Sequence, residues 1–197
     1  VHGDYAEFLK AELAMDDADP YGVPELSAIP ASQRKKFKVV IVGAGMSGIL
    51  AGIRLQEAGI SFEIIERHAN VAGTWYQNTY PGCRVDSPNH IYSYSFRPND
   101  WPQYYSQQEV LRQYFDKCVD DYGLRKHISF KTEVKTCTYD DAKAVWHVVV
   151  QKADGKHETL TANAVISAVG QLNRPKWPDI PGMDRFKGIS FHSTEWE

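Results

Sequence analysis

Apolar and polar positions set up a clear element order in residues 37–66. Phe37-Lys38-Val39-Val40-Ile41-Val42 is a short, β-branched apolar run, the pattern of a buried strand. Gly43-Ala44-Gly45-Met46-Ser47-Gly48 comes directly after it. Ile49, Leu50, Ile53 and Leu55 then recur at helical spacing until Gly59 stops them, and Phe62-Glu63-Ile64-Ile65 runs into Glu66. Strand, glycine turn, helix, strand and acid is the context that gives a GxGxxG motif meaning. In that reading Gly43 permits the tight turn, Gly45 lets backbone approach a diphosphate, and Gly48 lets the helix pack closely on the strand. The N–H groups and dipole at the helix start would hold the diphosphate. Glu66, eighteen residues after Gly48, would accept hydrogen bonds from ribose hydroxyls. The plain alternative is a βαβ turn that binds nothing.

The pattern continues on both sides. Ser106-Gln107-Gln108-Glu109 reads as a capping box. It opens a helix with Val110, Leu111, Tyr114, Phe115, Cys118, Val119 and Tyr122 on its apolar face, ended by Gly123. Strands are expected over 128–138, 145–151 and 157–161, with Asp154-Gly155 joining the last two. Residues 164–170 read as a buried strand ending in glycine, and Pro175, Pro178 and Pro181 stiffen the connector after it. Upstream, Tyr5, Phe8, Leu9 and Leu13 fit a short amphipathic helix, and Pro24 and Pro30 keep the next segment extended. This extension is expected to pack on the domain or on a partner subunit. The chain divides into an extension (1–35), a dinucleotide-binding domain (36–185) and a linker (186–197).

Composition narrows the classes. Of 197 residues, 43% are hydrophobic and 24% charged, which is globular, and the net charge of −3 argues against nucleic acid or an anionic membrane as partner. Arg34, Lys35, Lys36 and Lys38 read as a solvated strand entrance, or as a phosphate or partner patch. Three cysteines without a CxxC suggest neither a disulfide framework nor a zinc site. His127 reads as a solvated loop residue, and His147 and His157 lie on strands with no second ligand at metal spacing, so no metal is expected. No apolar run is long enough for a transmembrane helix and no signal peptide opens the chain, so a cytoplasmic location is expected.

Residues 72–86, Ala-Gly-Thr-Trp-Tyr-Gln-Asn-Thr-Tyr-Pro-Gly-Cys-Arg-Val-Asp, are rich in glycine and aromatics and read as a loop. Such a loop either serves a site or is simply pinned by its aromatic contacts. The segment resembles the AGxWxxxxYPGxxxD signature of type I Baeyer–Villiger monooxygenases at every defined position. Tyr92 and Tyr94 resemble the aromatic strand found after that signature in the family. Phe186, Gly188, His192 and Trp196 match the FxGxxxHxxxW fingerprint of the same family, with Ser193 and Glu197 as mild departures. Related flavin-containing monooxygenases usually carry Tyr or Phe where Trp196 stands.

The resemblance covers residues 36–197. It implies an α/β fold: a three-layer, Rossmann-like, largely parallel FAD-binding domain with a small antiparallel insertion. It also implies FAD and NADPH as cofactors, and a ketone converted with O2 to an ester or lactone. Gly43, Gly45, Gly48, Glu66 and Arg67 would serve the diphosphate and ribose. Gly73, Thr74, Trp75 and Tyr92 would line the cofactor, the backbone at Glu133-Val134 would meet the adenine, and Gly170 would return near the diphosphate. Asp86 would sit by the flavin ring and orient an arginine that lies beyond Glu197. His192 and its fingerprint partners would act as a conformational linker. The family continues into an NADP domain, so the chain is expected to be the front part of a longer enzyme. Its uncovered apolar surface would favour a homodimer or association with the remainder. Two other readings stay open: a monooxygenase of soft nitrogen or sulfur atoms, and a non-catalytic module that binds FAD or a partner.

Overall fold

The computed structural model describes residues 28–196 together with Ala6, Lys10, Gly22 and Leu26. The expected helix over Tyr5, Phe8, Leu9 and Leu13 lies outside the described residues. The first complete element is α1 (Ala31–Lys36), and it corrects the reading of the basic cluster. Arg34, Lys35 and Lys36 form its last turn, where the helix dipole favours cations. Arg34 Nη1 donates to the Ala58 carbonyl at 2.9 Å. A six-residue helix is too short to show a period, so the sequence carried no signal for it.

The centre of the fold is β1 (Lys38–Val42), whose residues Val39, Val40 and Ile41 are all buried. It pairs in parallel with β2 (Ser61–Ile65) on one side and β7 (Ala164–Ser167) on the other. The two-residue β3 (Ile128–Ser129) adds to β2, giving the order β3-β2-β1-β7. Side chains alternate across this sheet. Val39, Ile41 and Ile64 face the layer made by α2 (Met46–Glu57) and α4 (Gln108–Asp121), meeting Ile49, Ile53, Leu111 and Phe115. Val40 and Ile65 face the other way, onto Val148, Val150 and Ala162 of a second, antiparallel sheet. That sheet comprises β4 (Glu133–Asp140), β5 (Val145–Gln151) and β6 (His157–Ala162). Helices, parallel sheet and antiparallel sheet are the three layers the sequence led us to expect.

Five local expectations needed correction. The buried strand expected over 164–170 ends at Ser167 and is only half-buried, because it is the edge strand of the sheet, and Val169 beyond it is 47% exposed. The strand expected over 128–138 is two strands in two sheets. Lys131 adopts φ +50°, its N–H bonds the His68 carbonyl, and the Thr132 N–H bonds the Glu66 carbonyl, both at 2.9 Å. This turn lifts the chain out of one sheet into the other. The capping box does not form: Gln107 is the N-cap of α4, and the hydroxyl of the preceding Ser106 is taken by Asn89. The aromatic strand around Tyr92 and Tyr94 is a series of turns, with the N–H groups of Ile91 and Tyr92 both on the Pro88 carbonyl. Within the 72–86 loop, Thr74–Gln77 forms a single helical turn, α3.

Other expectations held. Gly123 ends α4, with its N–H on Asp120 and the Leu124 N–H on Val119. Cys118 is packed in the core, where burial pushes its thiol up to about 11. Past Ser167 the described chain has only isolated single turns, and Leu172, Ile180, Phe186 and Ile189 lie exposed on it. No helix among the described residues is long and apolar enough to cross a membrane.

Candidate nucleotide-binding site

The glycine turn between β1 and α2 is built from contacts that exclude side chains. Gly43 has φ +102°, and a Cβ there would lie 2.8 Å from the Ala168 carbonyl oxygen. A Cβ on Gly48 would lie 1.9 Å from the Gly43 carbonyl oxygen. Gly48 therefore brings the first turn of α2 against the glycine turn itself, rather than against β1 as expected. Gly45 is the N-cap of α2 and has open space around its Cβ position except for the Gly73 Cα at 3.7 Å. The first N–H groups of this twelve-residue helix have no intrahelical partner and carry the positive end of its dipole. An anion is what such a surface suits.

A second backbone segment closes on the first. The Ala72 N–H donates to the Ala44 carbonyl at 3.0 Å. Gly73, with φ +50°, stands so near that a Cβ on it would reach the Gly45 Cα at 3.1 Å. Ala72 itself is buried at φ +83°, a strained setting for a residue with a side chain. The two glycines therefore pack backbone against backbone, with no room between them for a side chain on Gly73. Of the residues expected beside them, Thr74 is exposed and Trp75 is buried in the core. The Trp75 indole N–H donates to the Tyr92 hydroxyl at 3.1 Å, and the rings meet edge to face. Trp75 belongs to the core cluster, and Tyr92 packs against it.

Glu66 is only 4% exposed at the end of β2. Its Oε2 accepts the Ala44 N–H at 2.7 Å and its Oε1 the His68 N–H at 2.8 Å. The carboxylate thus braces the glycine turn, while its remaining lone pairs can still accept from a sugar hydroxyl. Beyond it opens a cleft of about 490 Å³. Arg67, His68, Gln77, Lys131, Glu133 and Arg174 are among its lining residues. Val134 lies one residue further, half-buried on β4 opposite Val150. Gly170 lies two residues past Ala168, whose carbonyl touches the glycine turn. His68, Lys131 and Arg174 were missed in the sequence because their meeting depends on the turn at Lys131. Only the charge of Lys131 and Arg174 hinted at it.

Asp86 is exposed, and its Oδ1 accepts from the Ser87 hydroxyl at 3.3 Å. The loop bearing it is fixed by its neighbours. The Val85 N–H bonds the Ser106 carbonyl at 3.1 Å, and the Gln108 N–H bonds the Cys83 carbonyl at 2.9 Å. Asn89, 1% exposed, closes the loop from inside: its Nδ2 donates to the Gln103 carbonyl and the Ser106 hydroxyl, and its Oδ1 accepts the Ser106 N–H. Replacing Asn89 with Ala leaves the buried Ser106 N–H unpaired. The expected loss is about 2–3 kcal/mol, read as a lower urea midpoint with unchanged slope.

The sequence matches the flavin-binding monooxygenase-like family over residues 35–197. The chain belongs to this family. A Baeyer–Villiger monooxygenase of Streptomyces coelicolor is 44% identical over 162 residues, covering 81% of this chain and 30% of that protein. An uncharacterized monooxygenase of Sinorhizobium fredii, y4iD, is 39% identical over 168 residues, covering 85% and 25%. The crystal structure of OTEMO in complex with FAD and NADP aligns with a TM-score of 0.73 at 35% identity, over 82% of this chain and 30% of that one. Cyclohexanone monooxygenase from Rhodococcus sp. Phi1 bound to NADP+ gives 0.72 at 34%, over 81% and 30%. The chain thus spans less than a third of the length of these relatives.

In this flavin-binding monooxygenase-like chain the fingerprint residues lie past β7, in the segment that has only single turns. Phe186 and Trp196 are largely exposed, and a Cβ on Gly188 would strike the Phe186 ring at 2.4 Å. His192 Nδ1 accepts the Thr194 N–H at 3.2 Å, and its ring packs against Trp177. Glu195 reaches the edge of the cleft.

Proposed function

We propose that this chain supplies the FAD-binding part of an NADPH- and O2-dependent Baeyer–Villiger monooxygenase, which inserts one oxygen atom beside a ketone carbonyl to give an ester or lactone. The observation that carries this reading is the bare start of α2, where Gly73 alone comes within 4 Å of the Cβ position of the N-cap Gly45, in a chain 44% identical to a Baeyer–Villiger monooxygenase.

The phosphate-binding turn rests on its backbone geometry, and the other roles are those the resemblance implies. The N–H groups at the start of α2 would hold the diphosphate, and Gly43 and Gly48 keep that turn close to its own helix. Glu66 would accept from the ribose while bracing the turn. Arg67 and the backbone at Glu133-Val134 would border the adenosine in the cleft. Gly73 and Thr74 would continue the wall toward the flavin, backed by Trp75 and Tyr92, with Gly170 on the opposite side. Asp86, on its clasped loop, would set the charge beside the flavin ring. When bound, FAD accepts the hydride of NADPH and, once reduced, activates O2. The linker bearing Phe186, Gly188, His192 and Trp196 would move between states of the enzyme.

The test has two stages. FAD is titrated into the purified chain and monitored by flavin fluorescence; saturable binding at one equivalent is expected. In the protein that carries this chain, NADPH and a panel of ketones should yield esters or lactones by mass spectrometry. Oxidation of sulfides and amines with no ester from any ketone would overturn the Baeyer–Villiger assignment.

A further inference from the structure

The Arg67 guanidinium joins three parts of the chain. Its Nε donates to His68 Nε2 at 3.1 Å, and its Nη2 donates to the Asn173 carbonyl at 2.7 Å and faces Gln77 Oε1 at 3.5 Å. Asn173 in turn closes the exit from β7, its Nδ2 donating to the Val169 carbonyl at 2.6 Å. One side chain therefore ties the 169–173 turn, a rim of the cleft, to the end of β2.

Of the acceptors that hold Arg67, only His68 can lose its lone pair to a proton. Nε2 accepts from Arg67 only in the neutral ring with its hydrogen on Nδ1. A protonated ring would be a donor and a second cation against the guanidinium. The groups around this imidazole are the Glu66 carboxylate, which accepts the His68 N–H, the Arg67 guanidinium, and the Tyr76 ring at 5.7 Å. Lys131, whose N–H bonds the His68 carbonyl, and Glu133 also line the cleft. Burial holds the imidazole below its ordinary value; Glu66 pulls it up and Arg67 pushes it down.

We propose that His68 is a positioning residue: while neutral it orients Arg67 onto the Asn173 carbonyl and so keeps the 169–173 rim closed over the adenosine half of the cofactor. This rests on the FAD reading above. Because burial holds the imidazole below its ordinary value, the neutral ring is fully present above about pH 6.5 and the tether is lost as pH falls through the lower value of the folded group.

The experiment measures FAD affinity of the full chain at about pH 7.5 and, to pass below the lowered imidazole, at about pH 5 for wild type, His68→Gln and His68→Ala. Wild type should weaken about tenfold at the lower pH, the equivalent of losing one charge-assisted hydrogen bond. His68→Gln, an acceptor at either pH, should stay within about twofold of wild type at the higher pH and change little between them. His68→Ala should be weak at both. Trypsin cleavage after Lys176, without FAD, is the second readout. Expressed as the ratio of wild type to His68→Gln at each pH, it cancels the protease's own pH dependence, and it should rise several-fold at the lower pH. Wild-type pH dependence in His68→Gln, or a constant cleavage ratio, overturns the proposal. Absence of FAD binding at any pH overturns the FAD reading instead, while the cleavage ratio still decides the tether.

Discussion

Gly48→Ala is expected to yield a chain that neither folds stably nor retains flavin. The added methyl would sit 1.9 Å from the Gly43 carbonyl oxygen, a backbone atom with no rotamer to change. Relief requires α2 to move off the glycine turn, which also breaks the contact of that turn with Ala168. The expected cost is about 3 kcal/mol, the upper part of the range for overpacking, and retention of FAD below about a tenth of wild type. Gly52→Ala is the control on the same helix. Its methyl would meet the Ile64 Cδ1 at 3.0 Å and the Phe62 ring at 3.3 Å, both side-chain ends that can shift. Better helix propensity offsets this by about 1 kcal/mol, so near-neutral stability is expected. Urea denaturation of both variants with flavin absorbance checks the pair. A Gly48→Ala protein as stable as wild type would show that the turn has another arrangement open to it.

Glu66→Ala should be nearly as damaging, for a reason unlike the one its position in the motif suggests. A buried N–H on Ala44 and a half-buried one on His68 lose their acceptor together. At about 1–3 kcal/mol for each orphaned donor, reduced by partial collapse, a loss of about 2–4 kcal/mol is expected. Glu66→Gln keeps one carbonyl acceptor but turns an amide NH2 toward the other N–H, so it should fall between wild type and Ala. If the acid serves only the ribose, both variants would keep their urea midpoints and lose only FAD affinity.

The unit over 37–66 was readable because each of its signals is local. A β-branched run, three glycines and a helical period lie within thirty residues, and their spacing has physical meaning without the rest of the chain. The bend at Lys131 has no such signal: a lysine at φ +50° is stabilised by N–H bonds to Glu66 and His68, residues more than sixty positions earlier. The same holds for Ser106. Its sequence fits a capping box, but a buried Asn89 competes for the hydroxyl and the helix starts one residue later. The resemblance implies Trp75 and Tyr92 as cofactor-lining residues, but the bond from the Trp75 indole N–H to the Tyr92 hydroxyl spans seventeen positions and has no local signal. The cleft at Arg67 was half visible, since Arg67 comes directly after the acid while Arg174 arrives from the far end of the chain.

The pairing of β1 with β7 also bears on how the protein is made. The strand that carries the glycine turn is completed by one about 125 residues later, as the bond from the Lys38 N–H to Asn163 Oδ1 spans. Contacts of such separation are slow to form, because a long loop must close first. During synthesis the β1–α2–β2 unit emerges early with one edge of β1 open, and Ala168 cannot seat against Gly43 until the whole antiparallel sheet has left the ribosome. Cofactor capture is therefore a late step in biogenesis, and flavin supplied to stalled nascent chains should bind only once residue 168 is exposed.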